Sequence, residues 1–372
     1  MNDASAGPAT SPIDPYDAVL LVSFGGPEGP EEVLPFLENV TRGRGIPRER
    51  LAEVGEHYHL FGGRSPINEQ CRMLLKALDN ELSGRGLAVP LFWGNRNSEP
   101  FLDAAVRQIE AAGHRRVLAV VTSAYPSYSS CRQYRENLFD AAADTSVQID
   151  RIRHYADHPG FVVASVDATL AALDRLGQAG SAARLVFVTH SIPATMAETA
   201  GPEPRTGTGA YVDWHRAVSA EVTRQVAAQH GSELGHDLVY CSRSGPPSQP
   251  WLEPDVNDHL RSLQAEGVEA AVLVPIGFIS DHMEVIYDLD TEAAATAAQL
   301  GLPCERAATA GVHPDFVSGL VDLMLERAAA ARGENPDRPV AGDGPVGWYA
   351  CSVGCCPNLR EPGRPALVQT PA

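Results

Sequence analysis

"AVLLVSFGGP", residues 18–27, is an apolar run that breaks into glycine and proline at its C-terminal end, and "RLVFVTHSIP", residues 184–193, repeats the design. Unbroken aliphatic runs of this length suit strands buried on both faces, as in parallel sheets covered by helices. A second pair reads the same way: "VLAVVTSAYPSYSS" (117–130) and "AVLVPIGFISDHME" (271–284). Strands are predicted over 18–24, 89–93, 116–123, 184–190, 237–242 and 270–278. Between them lie helical patterns near 66–84, 99–112, 130–143, 159–177, 209–229, 254–266, 281–299 and 313–332. The alternation predicts an α/β protein of two like halves. Ligands in open α/β sheets bind beyond the carboxyl ends of strands. Two such halves facing one another would line a cleft with Phe24, Tyr125, His190 and Phe278.

Bulk properties narrow the function. A chain of 372 residues is long enough for two cores. Its net charge of −18 argues against nucleic acid and anionic membrane as partners. No apolar run approaches a membrane span. The polar start "MNDASAGPATSPIDP" lacks the apolar region of a signal peptide, so a cytoplasmic protein is expected. Lys76, the only lysine among 29 basic residues, sits in the amphipathic pattern "CRMLLKALDN". That placement argues against both a P-loop and Schiff-base chemistry. Seven cysteines make a disulfide framework improbable, and three of them crowd into "CSVGCC" (351–356), which points to metal.

His190 ends an apolar strand, where α/β sites form, although a structural histidine is the plain alternative. Glu284, Asp288 and Glu292 recur every four residues, which stacks them on one face of the predicted helix 281–299. Like charges so placed destabilise a helix by roughly 0.2–0.5 kcal/mol per pair. Asp281 and Glu284 fit a capping box, but that account leaves Asp288 and Glu292 unexplained. A histidine opposite a row of acids suits binding of a divalent cation or stepwise acceptance of protons. "SFGGPEGPEEV" is not a dinucleotide fingerprint, and its acids oppose phosphate; it shapes a turn that presents Phe24. Arg42 and Arg44 in "VTRGRGIP" suit substrate carboxylates, or are solvated surface arginines. Tyr125, Tyr128 and Tyr134, around Cys131, either flank a large flat ligand or pack a loop.

The segments "LLVSFGGPEGPEEV", "FGGRSPINE", "FVTHSIP", "SRSGPPSQPWLEPDV" and "PIGFISDHMEVIYDLD", in this order, resemble ferrochelatase, the enzyme that inserts ferrous iron into a porphyrin. The resemblance spans about residues 17–332. It implies two Rossmann-like, chelatase-type domains with parallel four-stranded sheets around a porphyrin cleft. The divisions expected are a disordered tail (1–16), a first domain (17–155 with 308–335), a second (156–307) and a cysteine tail (336–372). It also implies that His190 and Glu284 handle iron and accept protons, with Asp288 and Glu292 leading away. Ser65, Tyr134 and Arg96 match porphyrin-binding or metal-route positions. Phe24 stands where related bacterial enzymes often carry tyrosine, so axial ligation of iron there is not carried over. The cysteine-tailed form is similar to bacterial enzymes of heme biosynthesis acting on coproporphyrin III. Protoporphyrin IX, or ligand binding without chemistry, are the alternatives. Fe²⁺ is then a substrate, and a downstream heme-pathway enzyme a possible partner. Some members hold a [2Fe–2S] cluster, which here implies Cys131, Cys351, Cys355 and Cys356, with zinc as the rival.

Overall fold

A computed structural model describes residues 11–368 apart from 204, 206, 246, 247 and 345. Strands β1 (Ala18–Ser23), β2 (Leu91–Asn95), β3 (Arg116–Val121) and β4 (Gln148–Arg151) form one sheet in the order β2-β1-β3-β4. Strands β5 (Arg184–His190), β6 (His236–Cys241), β7 (Ala271–Val274) and β8 (Cys304–Arg306) form another in the order β6-β5-β7-β8. All pairings are parallel. Counted from its own first strand, each half has the same order, so the repeat in sequence is a repeat in topology.

The α-helices among the described residues are α1 (Pro30–Val40), α2 (Arg48–His59), α3 (Ile67–Gly84), α4 (Leu102–Ala111), α5 (Gln133–Ala142) and α6 (Pro159–Leu176) in the first part of the chain. They continue with α7 (Ala194–Glu198), α8 (Ala210–His230), α9 (Val256–Ala265), α10 (Met283–Ile286), α11 (Ala294–Leu300) and α12 (Pro314–Ala331). Every β1 side chain is buried. Val19 and Leu21 join a core with Leu74 and Leu78 of α3, while Leu20 and Val22 join one with Val106 of α4 and Leu138 of α5. Strand β5 repeats this split: Val186 and Val188 meet Leu260 and Ala297, and Leu185 and Phe187 share the core of Val19 and Leu21. That shared core runs through Phe161, Val222 and Leu320 of α6, α8 and α12. With about 1.5–3 kcal/mol gained per large side chain buried, it holds the two sheets in a fixed relation.

Several expectations are corrected. The strand predicted over 270–278 stops at Val274, because Pro275 has no N–H to extend the ladder. The helix predicted over 281–299 is three pieces, with a π-helical segment, Asp288–Ala293, between α10 and α11. Of the tail expected over 1–16, residues 1–10 lie outside the described residues, and 11–16 are ordered against the core through buried Ile13 and Tyr16.

Candidate active site at the carboxyl ends of the strands

His190 is the last residue of β5, and β5 lies between β6 and β7, so its side chain leaves from the middle of the sheet edge. The backbone is fixed from behind: Tyr211 of α8 donates its hydroxyl to the His190 carbonyl at 2.9 Å. His190 Nδ1 donates to the Ser191 carbonyl, which leaves Nε2 facing Glu284 Oε1 at 3.1 Å. The chain after β7 crosses directly over this edge at Gly277. A Cβ there would stand 2.1 Å from Thr189 Oγ1, so only glycine permits the crossing that delivers Glu284 to His190.

The capping box expected from Asp281 and Glu284 does not form. His282 caps α10 instead, its Nδ1 accepting the Glu284 N–H at 3.2 Å, and Asp281 is taken up by Arg306 at 3.2 Å and by Thr309 at 3.1 Å. The π-turn widens the helix so that the Glu292 N–H reaches the Tyr287 carbonyl at 2.9 Å. Such bulges recur at functional sites because they re-aim side chains. Asp288 accepts a hydrogen bond from Ser242 at the end of β6. The acids form a gradient of exposure: Glu284 and Asp288 are half-buried, and Glu292 is exposed.

Electrostatics divides this row into distinct roles. Burial works against an imidazolium at His190, but the charge and hydrogen bond of Glu284, with help from the Ser191 carbonyl and Asp288, raise its pKa to about 9. Burial likewise disfavours the Glu284 carboxylate, yet His190 and then His282 hold its pKa down at about 2. The two partners agree: near neutrality the site is an imidazolium–carboxylate pair. Asp288 is pushed up to about 7 by burial, against the Ser242 hydrogen bond and with the added repulsion of Glu284 and Glu292. Asp288 is thereby poised to exchange a proton near neutral pH.

The first half supplies the opposite wall. Phe24, just past β1, is half-buried against Phe36 with ring centroids 6.1 Å apart. The Arg96 guanidinium lies 5.5 Å from the Phe24 ring and 4.5 Å from that of buried Tyr134, and its Nε donates to Asn137 at 2.8 Å. Ser65 is buried beneath Gly26, where a Cβ would come within 2.6 Å of the serine Cβ. Arg42 and Arg44 are exposed on the loop after α1; Arg42 donates to Asn39 at 2.6 Å, and Arg44 feels the charges of Arg360 and Arg96. Tyr125 is not on this wall: it is 1% exposed, its ring stacked on His215 at 3.5 Å, because its loop turns inward under α8.

Two contacts were missed by sequence reasoning. Tyr58 of α2 faces the acid row, its hydroxyl pKa raised by burial and by Glu284 and Asp288. His57 stacks on Tyr287 with centroids 3.9 Å apart, bridging the halves. The polar pattern of α2 gave no signal for either. Ser242 ends a predicted strand, and the strand-end rule that found His190 would have found it too.

The tail brings a separate set of residues together. Cys131, Cys351, Cys355 and Cys356 are all at most 5% exposed. Cys131, Cys351 and Cys355 hydrogen-bond in series, and Cys355 Sγ lies 3.8 Å from Cys356 Sγ. Adjacent cysteines share the site through a left-handed backbone at Cys356, φ 50°. Trp348 Nε1 and Arg151 Nη2 donate to Cys351 Sγ at 3.2 Å each, and the Gly201 N–H donates to Cys356 Sγ at 3.1 Å. Such donors suit thiolate sulfur. Among the described residues no group of three or more His, Cys, Asp or Glu side chains is set out to hold a metal ion.

Paired Rossmann-like halves, with a histidine and an acid row at the strand ends, define a chelatase-type architecture. Its fold resembles SirB from Bacillus subtilis, solved with Fe³⁺, at a TM-score of 0.50 and 12% identity, covering 85% of this chain and 97% of that one. The ferrochelatase family model matches residues 16–328, and the chain belongs to the ferrochelatase family. The coproporphyrin III ferrochelatase of Streptomyces griseus is 54% identical, covering 92% of this chain and 94% of that protein. The ferrochelatase of Rhodopirellula baltica is 44% identical, covering 96% and 97%. No helix among the described residues is long and apolar enough to cross a membrane.

Proposed function

We propose that this chain inserts Fe²⁺ into coproporphyrin III to give iron coproporphyrin, which passes to a later enzyme of heme biosynthesis. The observation that carries the assignment of residues is the 3.1 Å approach of His190 Nε2 to Glu284 Oε1 at the mouth of the acid row. In this reading the domains divide at 17–155 with 308–335 and at 156–307, and the porphyrin lies between them against Phe24 and Tyr134. Ser65 and Arg96 hold it from the first half, and the Arg42–Arg44 loop meets its carboxylates. Two donors bind a hydrated dication loosely, as suits an ion that must be passed on to four pyrrole nitrogens. Iron arriving at His190 displaces the imidazolium proton to Asp288, which is neutral or charged according to small changes near pH 7, and Glu284 keeps its negative charge toward the metal while the metal is there. As iron leaves for the macrocycle, one of the two pyrrole protons returns to His190, and the other passes through Glu284 to Asp288. Glu292 then releases them to water. Zinc and copper bind such ligands more tightly than Fe²⁺, so selectivity rests on supply and geometry rather than affinity.

The test is metallation by the purified protein with Fe²⁺ and either coproporphyrin III or protoporphyrin IX. Preference for the first is expected; turnover of the second alone would reassign the substrate, and turnover of neither would leave a binding protein.

We further propose that Cys131, Cys351, Cys355 and Cys356 hold a [2Fe–2S] cluster. Support comes from their burial, the N–H donors aimed at two of the sulfurs and the left-handed turn at Cys356. When bound, the cluster supplies a structural cross-link and a one-electron couple. Visible absorbance with matching iron and sulfide content is expected; a colourless, zinc-containing protein would reject it.

A further inference from the structure

Two arginines beside the tail cysteines are buried without a carboxylate partner. Arg135 is 1% exposed, and its Nε donates to the Leu367 carbonyl at 2.8 Å, while Nη1 and Nη2 have no hydrogen-bond partner. Arg151 is 5% exposed; its Nη2 reaches Cys351 Sγ at 3.2 Å and its Nε has no partner. Their neighbours are treated differently. Arg132 pairs with Glu136 at 3.1 Å, and Arg153 with Asp157 and Glu326 at 2.8 and 3.0 Å. Among the described residues, Arg135 and Arg151 have no carboxylate in ion-pair range.

A buried, unpaired guanidinium is strongly unfavourable, and arginine cannot shed its proton to escape the penalty. Both arginines converge on the same sulfurs. Arg135 follows Cys131 by one helical turn and acts on the charge of Cys131, Cys351 and Cys356; Arg151 touches Cys351 directly. Neutral thiols would leave both cations uncompensated. Two ferric ions, two sulfides and four thiolates sum to a dianion, which is opposite in sign and equal in size to the charge of two guanidiniums.

We propose that Arg135 and Arg151 are the counter-ions of the tail's iron–sulfur centre, holding its charge inside the protein and setting its reduction potential. The inference rests on the cluster reading above. One-electron reduction adds a negative charge to the centre, and two fixed cations favour that state. They also tie the tail's order to the cluster: without it, Arg135, which fastens Leu367 through both backbone and side chain, is left beside neutral sulfur.

The test uses the full-length protein and its Arg135→Met and Arg135→Lys variants, each titrated with a one-electron reductant while the visible spectrum is followed. Arg135→Met is expected to shift the reduction equilibrium about tenfold toward the oxidised form, a potential lower by ~59 mV, and Arg135→Lys to recover most of the shift. If the methionine variant fails to retain iron and sulfide while the lysine variant retains them, charge is again the cause. Equal loss of iron and sulfide from both variants, or a methionine variant with the wild-type potential, overturns the assignment of the arginines, while iron–sulfur absorbance in the wild type still upholds the cluster. A wild-type protein with no iron–sulfur absorbance overturns the cluster itself, and this inference with it.

Discussion

Strands β1 and β5 hold the same place in sheets of the same order, yet β1 gives onto Phe24 and β5 ends in His190. The neighbours differ to match. Beside Phe24 stand Arg96 and Tyr134, a flat apolar wall edged by one cation. Beside His190 stand Glu284 and Asp288, an ion pair followed by an acid that titrates near neutrality. On the reading proposed above, the duplicated frame sets where the porphyrin sits, and the departure from symmetry divides the work: one wall grips, and the other moves protons and metal.

The largest effects should come from the His190 side. Glu284→Gln and His190→Ala are each expected to lower iron insertion by about 10²–10⁴-fold, the range of a lost acid–base group, with the far-ultraviolet dichroism spectrum unchanged. Exchanging the walls sharpens the point. A Phe24→His/His190→Phe double variant should stay inactive, because Glu284 is held beside residue 190 and not beside residue 24. Activity in that variant would mean the two strand ends are interchangeable. The pair also has a pH signature. His190, raised to about 9, adds stability that is complete below its unfolded value near 6.5 and is lost as pH rises through 9. Glu284, held near 2, adds stability that is complete above about 4.5 and is lost as pH falls through 2. Melting temperature should therefore fall from neutral pH toward pH 9 in the wild type, and less steeply in Glu284→Gln.

Asp288→Asn should cost less, on the order of tenfold at neutral pH, because water can replace a relay group more readily than a ligand. Its diagnostic is the profile. Burial raises the Asp288 pKa to about 7, so the wild-type rate should climb as pH rises through 7 and the carboxylate forms. With asparagine that limb should vanish. A limb that survives belongs to another group.

Much of this asymmetry was legible before any coordinates. The runs at 18–24 and 184–190 announced themselves because both faces of each strand are buried, and the strand-end rule led directly to His190. The short edge strands β4 and β8 were not legible: "QIDR" and "CER" are mostly polar, since an edge strand buries less of itself. Helix α1 was masked by Pro35 and α2 by its charged composition. The every-fourth spacing of Glu284, Asp288 and Glu292 pointed to one row, and Asp288 does feel both neighbours, but the π-turn between them was invisible. A bulge leaves hydrophobic periodicity nearly intact and changes only which carbonyl each N–H meets. Tyr125 was placed on the wrong side for a similar reason, since sequence gives a loop's composition and not the direction in which it turns.

On the Phe24 side, substitutions should act on binding rather than on chemistry. Arg96→Ala is expected to raise the porphyrin KM by up to about tenfold, or ~1.4 kcal/mol, with kcat within a few-fold of wild type. A fall in kcat with KM unchanged would move Arg96 from the gripping wall to the reacting one.

The smallest effect is the most discriminating for the acid row. Glu292 is exposed at the far end of the π-segment, where bulk water already surrounds it. If the row only draws in Fe²⁺ by its field, Glu292→Gln should weaken metal capture, the loss should fade with added salt because exposed charges are screened, and the pH limb near 7 should not move. If the row also carries protons, removing Glu292 takes away one of the repulsions that raise Asp288, so the limb should slide toward lower pH, most clearly at low salt. The change in rate is expected to be two- to three-fold at most by either route. Whether the limb moves at low salt therefore separates attraction from proton transfer where the size of the effect alone would not.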